Sequence, residues 1–161
     1  MKYDKIVPEI IVGLGDNTTF DDNNSPTKNV VHLHINLENW LGDDLMENDT
    51  CFVITHRLKE YLVQSKYSGF EFEEMEVTLD TYFEDNYHLG IPLPVFYRLK
   101  VIGKESKDDL YIAKSYLYIT NTLLKDLQDN FLIKNAQINP GRNEFDDFID
   151  KMIAARKNKK D

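Results

Sequence analysis

Residues 51–77 and 116–138 read as two divergent copies of one unit. Phe52-Val53-Ile54-Thr55, followed by Leu58 and Leu62, is matched at a constant offset of 65 by Leu117-Tyr118-Ile119-Thr120, followed by Leu123 and Leu127. After a shorter connection Phe70, Phe72, Met75 and Val77 are answered by Phe131, Ile133, Ala136 and Ile138 at an offset of 61. Each copy reads as strand, helix, strand: an apolar run, a Thr placed to cap, leucines four apart on one helix face, then alternating apolar positions. The alternation changes parity between Phe72 and Met75, which predicts a bulge at Glu73-Glu74, and the second copy has the same skip at Lys134-Asn135. A fold containing both units mixes helices with strands.

Around the repeat, Glu9–Gly13 reads as a short strand limited by Pro8, and 15–28 as a polar loop rich in Asp and Asn. Asn29–Leu37 alternates, with Val31, Leu33, Ile35 and Leu37 on one face and His32, His34 and Asn36 on the other. Pro94–Ile102 and Leu110–Ile119 read as an antiparallel hairpin joined by the turn-like segment 103–109. A helix from about Glu144 carries Phe145, Phe148, Ile149, Met152 and Ile153 at helical spacing, with Asp146 and Asp147 at its start. Such a helix is expected to cover its own sheet, with the basic tail 156–161 frayed.

The whole length, 1–161, suits one domain, able to bury roughly 70% of its unfolded surface. With 42% hydrophobic and 12% aromatic residues, extensive disorder is not expected. The formal charge is -9, and most of the acid lies between Asp16 and Glu84, which disfavours nucleic acid and favours a basic protein surface as partner. Cys51, the single cysteine, sits in an apolar run and reads as a buried small hydrophobe in a reducing compartment. The start Met1-Lys2-Tyr3-Asp4-Lys5 lacks a signal-peptide core, and no stretch approaches the roughly 20 apolar residues of a membrane span, so a cytoplasmic location is expected.

Several motifs bear on chemistry. His32-Leu33-His34 puts two imidazoles on one strand face, the spacing by which metal hydrolases present two nitrogen ligands, but neither His56 nor His88 supplies an evident third. Gly13-Leu14-Gly15 resembles the opening of a dinucleotide fingerprint and departs from it at Thr18. Glu71, Glu73, Glu74 and Glu76 make an acidic strand, which reads as a solvated face or as a docking face for a basic partner. Trp40 beside Asp43, Asp44 and Glu47 reads either as a recognition anchor ringed by charge or as a core tryptophan pinning its loop.

The segments Trp40-Leu41-Gly42-Asp43-Asp44-Leu45, Cys51–Leu62 and Gly69-Phe70-Glu71-Phe72 resemble immunity proteins of bacterial polymorphic toxin systems, the families numbered 11 and 43 above all. In those chains a Trp and Asp-rich turn precedes an apolar strand, a capped helix and a Gly-x-Glu-Phe strand. Thr55 stands here where Ser is expected, and the first 30 residues match no such pattern. The resemblance implies a cytoplasmic protein without catalytic activity or cofactor that binds a cognate toxin domain and blocks it.

The reading is therefore a single α+β domain with a largely antiparallel sheet, two strand-helix-strand units and a C-terminal helix. Its expected function is immunity, with Trp40, Asp43, Asp44, Glu47 and Glu71, Glu73, Glu74 and Glu76 facing a basic toxin domain. The alternatives are a metal-dependent hydrolase using His32 and His34, and a structural domain that self-associates through a sheet edge.

Overall fold

The computed structural model describes residues 1–21, 29–49, 51–87, 89–141 and 144–158. The chain runs β1 (Tyr3–Val7), β2 (Glu9–Ile10), β3 (Thr19–Phe20), β4 (Val30–His32), β5 (His34–Leu37), β6 (Leu45–Asn48), β7 (Cys51–Thr55), α1 (His56–Gln64), β8 (Phe70–Glu74), β9 (Glu76–Leu79) and α2 (Thr81–Asn86). It continues through β10 (Phe96–Val101), β11 (Leu110–Ala113), β12 (Tyr116–Thr120), α3 (Asn121–Asn130), β13 (Gln137–Ile138) and α4 (Glu144–Asn158). Among the described strands, every pairing is antiparallel except β2 with β6 and β5 with β9. This is an α+β domain.

Two sheets share one plan. The order β6-β7-β10-β8, with β2 beyond β6, forms one, and β11-β12-β1-β13 forms the other. In each, a hairpin (β6–β7 or β11–β12) leads into a helix (α1 or α3). The strand after the helix (β8 or β13) returns to lie beyond an inserted antiparallel strand, β10 or β1. The register gives the correspondence: Leu99 lies between Phe52 and Phe72, and Ile6 lies between Leu117 and Ile138. Phe52 and Leu117 are 65 apart, as the sequence pattern has it, but Phe72 and Ile138 are 66 apart (138 minus 72). The expected offset of 61 placed β13 five residues out of register. Phe131, matched on paper to Phe70, instead ends α3 and packs on Tyr61 with ring centroids 5.0 Å apart.

Neither copy contains the expected bulge. β8 pairs with β10 without a break from Phe70 to Glu74, and the parity changes at Met75, where the chain leaves that sheet and β9 joins β5. Lys134-Asn135 is a turn. Nor do Pro94–Ile102 and Leu110–Ile119 form one hairpin. β10 lies between β7 and β8, while Leu110–Ile119 folds on itself around Lys114 and Ser115. Their φ angles of 50° and 68° give the twist that two-residue hairpins require. Asp49, 65 residues before Lys114, has a φ of 52° at the corresponding turn of β6–β7.

The β6-β7-β10 sheet separates two apolar cores, because alternate side chains point to opposite faces. Leu45, Phe52, Ile54 and Leu99 enter a core shared with Ile6, Leu117 and Ile119 and with Leu58, Leu62, Leu123, Leu124 and Leu127 of α1 and α3. Met46, Cys51, Val53 and Phe96 enter the other, with Ile11, Leu33, Ile35, Leu37, Trp40 and Phe83. All five residues of β7 are buried, which explains its unbroken apolar run. Thr55 caps α1, its Oγ1 accepting from Leu58 N at 3.4 Å, whereas Thr120 at the start of α3 makes no such cap. Gly69, at φ 100°, sits where the start of β8 meets β11, and a Cβ there would lie 2.4 Å from the Leu110 carbonyl oxygen.

Three further expectations change. In the 29–37 segment Val31 is exposed and His34 is buried, because the strand breaks at Leu33 into β4 and β5. The expected polar loop 15–28 contains β3, which pairs with β4; its residues 22–28 lie outside the described residues, as does His88. The C-terminal helix runs through Asn158, but Phe148, Met152 and Ile153 are exposed and none of its described side chains joins either core. The side chains of Phe145 and Asp146, and residues 159–161, lie outside the described part.

Candidate functional site

The Asp43-Asp44 pair, which precedes β6, is buried and turned inward. Asp44 accepts from Thr55 Oγ1 at 2.6 Å and from Leu132 N at 2.8 Å, and also from Arg57. Asp43 accepts from Asn135 N at 2.8 Å and Asn135 Nδ2 at 2.9 Å. Both carboxylates therefore hold the loop between α3 and β13, in the other unit. Asp109 mirrors Asp44 from 65 residues away: it accepts from Thr120 Oγ1 at 2.9 Å and Ser68 N at 3.0 Å, in the loop between α1 and β8. Between the helices, Asp126 of α3 accepts from the hydroxyls of Tyr61 and Tyr67. Those bonds, Tyr67 first, hold the Asp126 carboxyl below its ordinary range, and burial raises both phenols.

Trp40 is a core residue. Its ring meets Phe96 edge-on at 5.4 Å, and Nε1 donates to the Asp43 carbonyl at 3.0 Å. Beneath this loop Glu9, 2% exposed, accepts from Leu41 N at 2.8 Å through Oε1, while Oε2 has no partner. Burial pushes its pKa up to about 7, helped by the neighbouring Asp43. Asp43 and Asp44 are thus turned inside the chain, and Trp40 takes the core position of its two expected readings while its ring also lines the groove beside Leu41.

Glu47 lies on β6, half-buried, in a groove separate from the other acids. Burial first, and then Asp49, raise its pKa to about 7. The acidic strand divides as well. Glu73 is paired with Arg98 at 3.3 Å and Lys100 at 3.2 Å. Glu76 accepts from Asn17 Nδ2 at 2.9 Å and sits 3.4 Å from His32 Nε2, contacts that hold its carboxyl below the usual range. Glu71 and Glu74 remain exposed, on opposite faces of β8, itself the free edge of its sheet.

His34 is committed to structure. Its Nδ1 accepts from Asn17 N at 3.1 Å, and Nε2 lies 2.8 Å from Thr78 Oγ1, which itself donates to Asn36 Oδ1. That chain selects the tautomer with the proton on Nε2 and leaves neither nitrogen for a metal. Among the described residues no group of three or more His, Cys, Asp or Glu is placed to hold an ion.

The residues the sequence pattern did not single out lie next to this strand. α2 follows β9 directly, capped by Asp80 Oδ1 on Tyr82 N at 2.9 Å, and turns Phe83 into the core. Its outer side presents exposed Tyr82, Glu84 and Asp85. A groove of about 260 Å³ between α2 and Glu38–Leu41 is lined by Tyr82, exposed Leu41 and Leu89, and bordered by Glu38. Exposed aromatic and apolar side chains with a polar rim are the composition of a protein-binding patch. Asp80, three residues before Phe83, was the available signal for this short capped turn.

The fold and site define a single α+β domain built from two related units, with a groove between α2 and Glu38–Leu41. Among the described residues no helix is long and apolar enough to cross a membrane. No family model, curated protein or solved structure matches the chain.

Proposed function

We propose that this chain is a non-catalytic immunity protein that binds and neutralises a cognate, basic toxin domain of a bacterial polymorphic toxin system in the cytoplasm. The observation that carries the reading is the groove lined by exposed Tyr82, Leu41 and Leu89 and bordered by Glu38, beside a helix that also exposes Glu84 and Asp85, in a chain of net charge -9. A surface of that kind steers a cationic partner to itself and then seats an apolar or aromatic side chain in the groove. The resemblance to immunity families supports the same reading through a different set of residues. Asp43, Asp44, Leu58 and Leu62 build the scaffold, so there the likeness bears on fold, while Trp40 both packs in the core and lines the groove.

The test is calorimetric titration of the chain with the purified C-terminal domain encoded by the gene immediately upstream. Tight one-to-one binding that weakens with added salt is expected. Absence of heat at micromolar concentrations of both proteins contradicts the reading.

A further inference from the structure

α4 and a groove beside its attachment point are complementary in polarity and charge. The groove, about 590 Å³, is lined by Ile10–Leu14, by Glu47-Asn48-Asp49 at the end of β6, and by Ser115 and Tyr116. Ile10, Val12 and Leu14 alternate along one extended segment and are each half or more exposed, at 58%, 50% and 50%. The backbone of that segment is already paired, Ile11 N to the Glu47 carbonyl and the Val12, Gly13 and Gly15 groups to Glu38, Asn36 and His34. Addition of another strand there is therefore excluded, and what remains is a side-chain surface: an aliphatic stripe with two carboxylates at its rim.

α4 presents the opposite surface. Over 15 residues, about 22 Å, it exposes Phe148, Met152 and Ile153 on one side, and Arg156 and Lys157 occupy its last turn. Three exposed large apolar side chains on one helix gain by being covered. Asp150 is bound to Lys114 at 3.2 Å, and Lys114 adjoins Ser115 of the groove wall. The helix is thus pinned at the rim with its apolar face turned away from its own chain.

We propose that α4 of one copy seats in the Ile10–Leu14 groove of a second copy, reciprocally, forming a two-fold dimer. Phe148, Met152 and Ile153 cover the aliphatic stripe, and Arg156 and Lys157 meet Glu47 and Asp49. A two-fold arrangement makes this contact twice, which brings two modest patches toward the roughly 1,200 Å² or more of a stable interface. The proposal does not depend on toxin binding, since β8, β9 and α2 take no part in it.

Sedimentation velocity on the full chain tests it, using two one-sided variants. Phe148→Ser spoils the helix and leaves the groove, and Val12→Lys spoils the groove and leaves the helix; both positions are exposed, so folding is retained. The wild-type chain is expected to sediment as a dimer at about 100 µM. Each variant alone is expected to be a monomer, and Glu71→Lys, at an exposed position outside both surfaces, should remain a dimer. A monomeric wild type, a monomeric Glu71→Lys chain, or dimers that survive in Phe148→Ser or Val12→Lys each overturns the proposal.

Discussion

Asp44 and Asp109, 65 residues apart, hold opposite halves of the chain by the same bonds. Each takes a hydroxyl from the threonine eleven residues on, Thr55 or Thr120, and a backbone N–H from the helix-to-strand loop of the other unit, Leu132 or Ser68. The two clasps are reciprocal, so neither unit is closed without the other. Charge-assisted bonds to backbone donors are among the stronger local contacts, and their loss leaves those donors unsatisfied.

Asp44→Ala is therefore expected to destabilise the chain by about 3 kcal/mol, because Leu132 N and Thr55 Oγ1 lose their acceptor in a buried site. Asp109→Ala, at a half-buried position, should cost less, about 1 to 2 kcal/mol. Urea denaturation measures both. Negligible effects of both substitutions would mean that the clasps do not hold the units together.

Glu9 sets a pH dependence. Its folded pKa, about 7, lies above the ordinary 4.5, so the folded state binds the extra proton. Its contribution is full below about pH 4.5 and is lost as pH rises through 7, on the order of 3 kcal/mol for a carboxyl this buried. Glu47, raised by burial and by Asp49, acts in the same direction. Stability should fall between pH 5 and 8, and Glu9→Gln should flatten that fall; thermal melts across the range measure it.

Asp126 has the opposite sign. The Tyr67 and Tyr61 hydroxyls lower its pKa below the ordinary 3.8, so its contribution is present above that value and lost as pH falls through the folded pKa. Tyr67→Phe should be less stable than wild type at neutral pH, and the gap should close on acidification below about pH 4. Denaturation at pH 7 and pH 3 compares them.

Trp40 is the single tryptophan, so the fluorescence of the folded chain reports on it alone. A buried indole packed on Phe96 predicts blue-shifted emission resistant to iodide, and because Trp40 also lines the groove beside Leu41 and Tyr82, a partner seated there should change it further. Strong quenching by iodide would return Trp40 to the surface.

The architecture was legible where side chains repeat with a period. Leu58 and Leu62 against Leu123 and Leu127 reveal two helices, and the unbroken apolar run of β7 marks a strand buried on both faces. The sequence pattern failed where a change of partner imitates a local irregularity. Met75 looks like the end of a bulge because β8 and β9 belong to different sheets, and a five-residue error in β13 passes unnoticed because apolar residues recur on either side of it. Asp43-Asp44 and Asp108-Asp109 also stand 65 apart, but carboxylates near a turn are ordinarily solvated, so the spacing alone does not reveal a buried clasp. What the carboxylates do here depends on contacts across more than 80 residues, Asp44 to Leu132 and Asp43 to Asn135, which no local pattern encodes.

The partner face makes a further distinction. Reversing charge at Glu84 and Asp85 together should slow association with the toxin domain about tenfold or more at low salt while leaving stability intact, since both are exposed on α2. Reversal at Asp43 and Asp44 should instead unfold the chain. Stopped-flow association and thermal melts separate the two effects.

The most direct measurement is growth of a host expressing the C-terminal domain encoded immediately upstream, with and without this chain. Immunity predicts arrest by that domain alone, rescue by the wild-type chain and by His32→Ala, and loss of rescue when Glu84 and Asp85 are reversed. A domain that is harmless, or that still kills when the chain is abundant, contradicts it.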